Sequence, residues 1–353
     1  MLFSAMMNQR LAKTFLLSIL SVIVVWAIGF DAPNATVASV GAVASPTPPV
    51  EDDDSPIRIQ TELVNLNVRV VDRNNRPVNN LKETDFRIFE NNTEQKIEFF
   101  SKSEVPTNYS LVIDNSGSLR MLLDRVIDAS KIIVATNRPD DEASVIRFVS
   151  SDKIEVKQDF TSDKDLLNDA LDQMFVEGGQ TAIVDAVYLA AESVSEYEKS
   201  DRERKRRAII LVTDGEDRDS FYKENQLYEL LREIDVQIYV VGFISELSSE
   251  GGFISKSPQS KAKAFLERLA KETGGKAYFP RVLNELDSIA RDISSELRTQ
   301  YSIGYQPTDA NASTFRSIRV TVADGPNREK RIAITRSGIK ASSDKTQPPS
   351  LQK

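Results

Sequence analysis

The sequence predicts an α/β fold: a doubly wound, mostly parallel sheet flanked by a small β-sandwich-like domain built jointly from N- and C-terminal strands. Three observations carry that prediction. Through the middle of the chain, apolar runs such as "YSLVID", "ASVIRFV" and "AIILVTD" alternate with helical stretches. Continuous apolar strands spaced by helices mean a sheet covered on both faces. Before and after this region, "LVNLNVRVVD" and "FRSIRVTV" instead alternate apolar with polar residues, the period of a half-buried strand. Neither outer piece is long enough to bury a core by itself, so the two are expected to pair, with the α/β part inserted between them.

Taken in order, residues 1–30 carry Arg10 and Lys13 ahead of an uncharged apolar run over residues 14–30. A basic start and then an apolar stretch between the about 7–15 residues of an export signal and the about 20 of a spanning helix predicts a signal peptide or a signal anchor. Either one places the rest of the chain outside the cytoplasm: periplasmic, secreted or anchored at the cell surface. Residues 31–56 are small residues, prolines and acids, "ASPTPPVEDDDSP" among them, a solvated linker. Residues 57–103 are expected to form a small antiparallel unit. Within it "DRNNRP" is a turn, and Asn91-Asn92 separates two strand-like runs.

The α/β domain is expected over residues 104–299. Its helices are predicted near residues 119–136, after Ser162 as N-cap, and at 183–198, 223–233, 261–272 and 284–298, with a long loop over residues 245–260. Residues 300–340 turn β again through "YSIGYQP", "FRSIRVTV" and "KRIAITR", and residues 341–353 read as a disordered tail.

Composition removes whole classes of function. The chain has 353 residues, 40% of them hydrophobic and 28% charged, in the range of an ordinary globular protein. Its net charge of −8 suits neither nucleic-acid binding nor any other wrapping of a phosphate backbone; a membrane is expected to be met only through the possible N-terminal anchor. There are no cysteines and no histidines. A disulfide framework, a thiolate or imidazole metal site, a cysteine nucleophile and a Ser-His-Asp triad are therefore all excluded. Any metal must be held by oxygen, which points to a hard ion.

In an open parallel sheet, ligands collect beyond the carboxyl ends of the strands. Asp114, Ser116 and Ser118 follow the first core strand in "SLVIDNSGSLR"; Thr181 lies in "EGGQTAIVDAV", where a glycine loop runs into a helix; Asp214 ends "AIILVTD" and precedes Gly215. Alone, Asp-x-Ser-x-Ser is what any polar turn looks like. With Thr181 and Asp214 it becomes a set of five oxygen donors at one sheet edge, suited to Mg²⁺, which takes near-octahedral oxygen and keeps several waters. If both aspartates bind through water, only neutral hydroxyls touch the ion, and it seeks an anion from outside.

The pattern Asp114-x-Ser116-x-Ser118 with Thr181 and with Asp214 in "VTDGED" resembles the metal-ion-dependent adhesion site of von Willebrand factor type A domains, over roughly residues 105–299. The flanking pieces are similar to the exported bacterial group called VWFA-related, best known in Acidobacteria. The resemblance implies a Rossmann-like sheet. It implies Mg²⁺ (or Mn²⁺) with Ser116, Ser118 and Thr181 as hydroxyl ligands and Asp114 and Asp214 holding the ion directly or through water. It also implies a non-enzymatic role in which a protein partner presents an Asp or Glu to the metal. The family usually has methionine or another apolar residue after the second serine; here Leu119 is followed by Arg120, which puts a cation near the metal face if it points outward.

Asp185 is a candidate second acceptor behind Thr181, or a cap. Glu216, Asp217 and Asp219 read as a solvated run or a rim of the site, and residues 201–207, "DRERKRR", as an exposed loop. Two other functions share the crevice. A Mg²⁺-dependent phosphatase of the Asp-x-Asp type would need a second carboxylate where Ser116 stands, and there is no histidine to replace it. An extracytoplasmic solute-binding module would need aromatic or arginine clamps in the loops, which the sequence does not make obvious.

Overall fold

The computed structural model describes residues 63–102, 104–197, 205–247, 257–308 and 315–340. The expected export segment (1–30), linker (31–56) and tail (341–353) lie outside them. The order of elements is β1 (Val64–Asp72), β2 (Phe86–Glu90), β3 (Thr93–Gln95), β4 (Ile97–Ser101), then β5 (Thr107–Asp114), α1 (Leu123–Ala135), β6 (Glu142–Phe148), β7 (Ile154–Thr161), α2 (Lys164–Asp172), α3 (Ile183–Glu196) and β8 (Arg206–Thr213). There follow α4 (Glu224–Glu233), β9 (Gln237–Gly242), α5 (Pro258–Thr273), β10 (Ala277–Tyr278), α6 (Leu286–Glu296), β11 (Tyr301–Tyr305), β12 (Arg316–Val322), β13 (Arg331–Ile334) and β14 (Gly338–Ile339).

The central sheet runs β10-β9-β8-β5-β6-β7. Its pairs are parallel except at the β7 edge, where a tight turn folds β7 back antiparallel on β6. The middles of β5 (Leu111–Ile113) and β8 (Ala208–Val212) are apolar throughout because both faces are used. Leu111, Ile113, Ile210 and Val212 pack under α1, α2 and α6, while Val112, Ile209 and Leu211 pack under α3, α4 and α5. Alternate residues point to opposite faces, so apolar residues are needed on both, and the polar Ser110 within β5 is satisfied by the Ser144 hydroxyl of β6 at 2.6 Å.

Several helix starts differ from expectation, each for a local reason. The first helix begins at Leu123, not near residue 119, because Gly117–Leu119 forms a 3₁₀ turn that closes the Asp-x-Ser-x-Ser loop first. The cap of α2 is Asp163, not Ser162: its carboxylate accepts from the Asp165 and Leu166 amides, the orphan donors of a helix start. The expected 245–260 loop gives way to α5 at Pro258, capped by the Ser257 hydroxyl; residues 248–256 are outside the description.

The outer strands interleave. One sheet runs β13-β1-β11-β4 and the other β14-β12-β2-β3, so N- and C-terminal strands are neighbours in both. Residues 57–103 are therefore not a self-contained antiparallel unit, since β1 pairs with β11 and β13 instead of with β2 or β4. Asn91 and Asn92, at φ of 47° and 66°, turn β2 tightly into β3. Leu66, Val68, Ile88, Ile303 and Tyr305 fill the space between the sheets, with Phe86 5.1 Å from the Tyr301 ring. Strand β1 is also not half-buried throughout. Arg69, on its expected polar face, is buried and donates to Glu296 of α6 at 2.6 Å.

Arg206 corrects the exposed-loop reading of residues 201–207 at that position. It is buried at the start of β8 and donates to the carbonyls of Leu297 and Gln300, 2.9 and 2.8 Å away, which terminate α6. Among the described residues no helix is long and apolar enough to cross a membrane.

Candidate metal centre

The pairing of β5 with β8 sets the site. Ile113 lies opposite Val212 in the parallel register, so both chains leave the sheet at the same edge one step later, as Asp114 and as Thr213-Asp214. Asp114 is completely buried. One of its carboxylate oxygens accepts from the Ser116 amide at 2.9 Å and the other from the Thr213 hydroxyl at 2.8 Å. The Gly215 amide in turn donates to the Thr213 hydroxyl at 3.1 Å. Gly215 has φ of +87°, and a Cβ there would come within 2.9 Å of the Leu266 side chain, so the sharp exit from β8 needs glycine.

The Asp-x-Ser-x-Ser loop is held by the same local bonding. Its 3₁₀ turn brings the Ser116 and Ser118 hydroxyls within 2.9 Å of each other, the first buried and the second exposed. Asp214 is nearly buried, and its carboxylate accepts from the Glu216 amide at 3.0 Å. Thr181, also buried, enters through its backbone: its carbonyl accepts from the Arg218 and Asp219 amides, at 2.8 and 3.2 Å, which ties the loop before α3 to the loop after β8. The Thr181 hydroxyl makes no hydrogen bond among the described residues.

The surrounding carboxylates are structural. Asp185 is fully buried, and its two oxygens accept from the Phe221 and Tyr222 amides, each at 2.8 Å, and from the Ser151 hydroxyl. It anchors the loop after β8 and is not available as a further ligand. Asp217 accepts from the Val184 amide at 3.1 Å and so supplies the cap that Ala182 cannot give to α3. Glu216 pairs with Arg218. Asp217 was legible only as part of an acidic run. Thr213 stands outside the expected set, although the sequence signals it as a hydroxyl at the last position of "AIILVT". Arg120 is exposed beside the 3₁₀ turn and has no ion-pair partner among the described residues.

The electrostatics fit a cation. Burial pushes the Asp114 carboxyl up to about 6, and the charge of Asp214 adds to that, while hydrogen bonds from Ser116 and Thr213 only partly offset it. None of these influences is a positive side chain. Two carboxylates buried side by side without a counter-ion are costly, and a bound cation reverses that cost. Among the described residues no three Asp or Glu converge; the donor set is two carboxylates and three hydroxyls, suited to a hard ion that keeps water.

The family model for the von Willebrand factor type A domain matches residues 110–292. No curated protein matches the chain. Among solved structures the chain is similar to von Willebrand factor type A from Catenulispora acidiphila, at 12% identity over 73% of this chain and 74% of that one, with a TM-score of 0.45. It is similar to an aerotolerance-related membrane protein from Bacteroides fragilis at 19% identity over 54% and 98%, with a TM-score of 0.43. A third is proximal thread matrix protein 1 from the mussel byssus, solved with a zinc-occupied MIDAS motif, at 20% identity over 59% and 49%, with a TM-score of 0.43. With the family model covering the sheet and all five site positions, this chain belongs to the von Willebrand factor type A domain family.

Proposed function

We propose that this is an exported, non-enzymatic binding protein that uses Mg²⁺ or Mn²⁺ at the edge of its α/β sheet to capture an acidic side chain of a protein partner. The observation that carries the reading is the charge balance of the site: Asp114 and Asp214 are buried together, the influences on Asp114 include no cation, and the remaining donors are hydroxyls. Ser116, Ser118 and Thr181 would touch the ion, with Asp114 and Asp214 holding it directly or through water. When bound, the ion supplies a positive centre that neutral hydroxyls leave open to an outside carboxylate. The phosphatase alternative lacks a proton carrier, because the position two residues after Asp114 is a serine and the chain has no histidine.

Calorimetric titration of Mg²⁺ and Mn²⁺ into the wild type, Asp114→Ala and Ser116→Ala tests this. Binding is expected in the wild type and sharply weaker binding in both variants. No binding in the wild type, or equal binding in all three, sinks the metal site. Turnover of phosphate esters that needs Mg²⁺ and disappears in Asp114→Asn would replace the binding role with a hydrolytic one.

A further inference from the structure

We infer that the partner segment is apolar on either side of its acidic residue, because the loops that carry the metal centre present three exposed hydrophobic side chains, two of them held in place. This rests on the binding role proposed above. Met121, Phe175 and Phe221 are 85%, 51% and 65% exposed. Each comes from a different loop at the carboxyl edge of the sheet, and each loop is bonded to the metal set. Met121 lies three residues after Ser118, between the 3₁₀ turn and α1. The Phe175 carbonyl accepts from the Asn115 side-chain amide, between Asp114 and Ser116, at 2.9 Å. Phe221 sits in the loop after β8, whose Arg218 and Asp219 amides donate to the Thr181 carbonyl, and its own amide donates to Asp185 at 2.8 Å.

Single exposed apolar residues are ordinary; three on loops at one edge of the sheet, tied by hydrogen bonds to the Asp114 and Thr181 loops, call for an explanation. Two of these three are also held in place. The Phe175 ring lies 4.4 Å from the Arg147 guanidinium, itself fixed by Glu155 and Glu177. The Phe221 ring meets Tyr222 edge-on at 5.5 Å, and Tyr222 stacks on Tyr188 at 4.0 Å. Rings fixed before binding lose little freedom on contact, so they act as ready anchors, while Met121 adapts its shape. Arg120, exposed and without an ion pair among the described residues, adds positive charge at the rim. The occupant that matches this surface is a protein loop with one Asp or Glu at the metal and bulky apolar residues beside it, not a polar glycan or a uniformly acidic tail.

Random peptides displayed on phage, selected on the full chain in Mg²⁺ and released by EDTA, test it. The released peptides are expected to carry Asp or Glu with Leu, Ile, Met, Phe or Trp within a residue or two. A Met121→Ser, Phe175→Ser, Phe221→Ser variant is expected to bind them about tenfold or more weakly, with its Mg²⁺ affinity measured alongside and unchanged. Acidic peptides with polar flanks, or equal binding by the variant, overturn this inference and leave the metal site standing. Failure of the wild type to bind Mg²⁺ removes the underlying reading instead. Wild-type binding to phosphatidylglycerol vesicles that the variant loses, with no acidic peptide selected, would make the rim a membrane contact and also overturn it.

Discussion

Glu296 and Asp114 are both buried carboxylates, and the protein treats them in opposite ways. Glu296, where α6 meets the β-sandwich, accepts from Arg69 at 2.6 Å and from Lys276 at 3.1 Å. Asp114, at the carboxyl edge of the sheet, receives an amide and a hydroxyl and lies beside Asp214. Where a buried charge serves the architecture, the chain supplies its own counter-ion. At Asp114 no cationic side chain stands among the groups that act on it, and the proposed metal ion would supply that balance.

The largest effect is expected from breaking the structural pair. Glu296→Ala leaves the buried Arg69 without its carboxylate, while Lys276 keeps Asp292 at 2.6 Å, and removing one member of a buried pair costs about 3–5 kcal/mol. Denaturant unfolding should show that loss with or without Mg²⁺. A loss that Mg²⁺ restores would place Glu296 with the metal centre and collapse the contrast.

Next in size is the pH response of Asp114. In the folded chain without metal its carboxyl stays protonated up to about 6, whereas an unfolded aspartate ionises near pH ~4. The folded state therefore holds the extra proton between those values. Its contribution to stability is complete below the lower one and is lost as pH rises through the upper, by on the order of 2 kcal/mol. In EDTA, Asp114→Asn should thus gain stability relative to wild type between about pH 4 and about pH 7, despite replacing a fully buried residue. Mg²⁺ should erase that advantage at the higher pH. A variant that is less stable than wild type throughout would mean that the carboxylate is already compensated.

The smallest expected effect concerns the scaffold of Thr181. Asp217→Ala removes the cap on α3, worth about 1 kcal/mol, and loosens the loop whose Arg218 amide holds the Thr181 carbonyl. Mg²⁺ affinity should fall modestly along with melting temperature. Unchanged affinity would show that the Asp217 cap does not contribute to positioning Thr181.

Most of the α/β core could be read from the chain, because the middles of strands buried on both faces are continuously apolar, and Asp114 and Asp214 could be placed at one sheet edge because each stands at the end of such a strand. What could not be read depended on contacts between distant segments. Arg69 looked like the polar side of a half-buried strand until α6 covered it. Arg206 looked like one charge in a solvated run, yet it terminates α6. The interleaving of β1 between β11 and β13 has no local signature, since any alternating strand can pair with any other. Asp217 and Asp185 stand in acidic or helical contexts that sequence alone cannot tell from solvated ones, and their roles appear only once α3 and the loop after β8 are side by side.

On the proposed function, the edge carrying Asp114 and Asp214 takes its missing positive charge as a divalent ion. Crystals grown in Mn²⁺ and measured for anomalous scattering test it most directly. The expected result is a peak among Asp114, Ser116, Ser118, Thr181 and Asp214 that Asp114→Ala abolishes; no peak there, or one that survives the substitution, would contradict it.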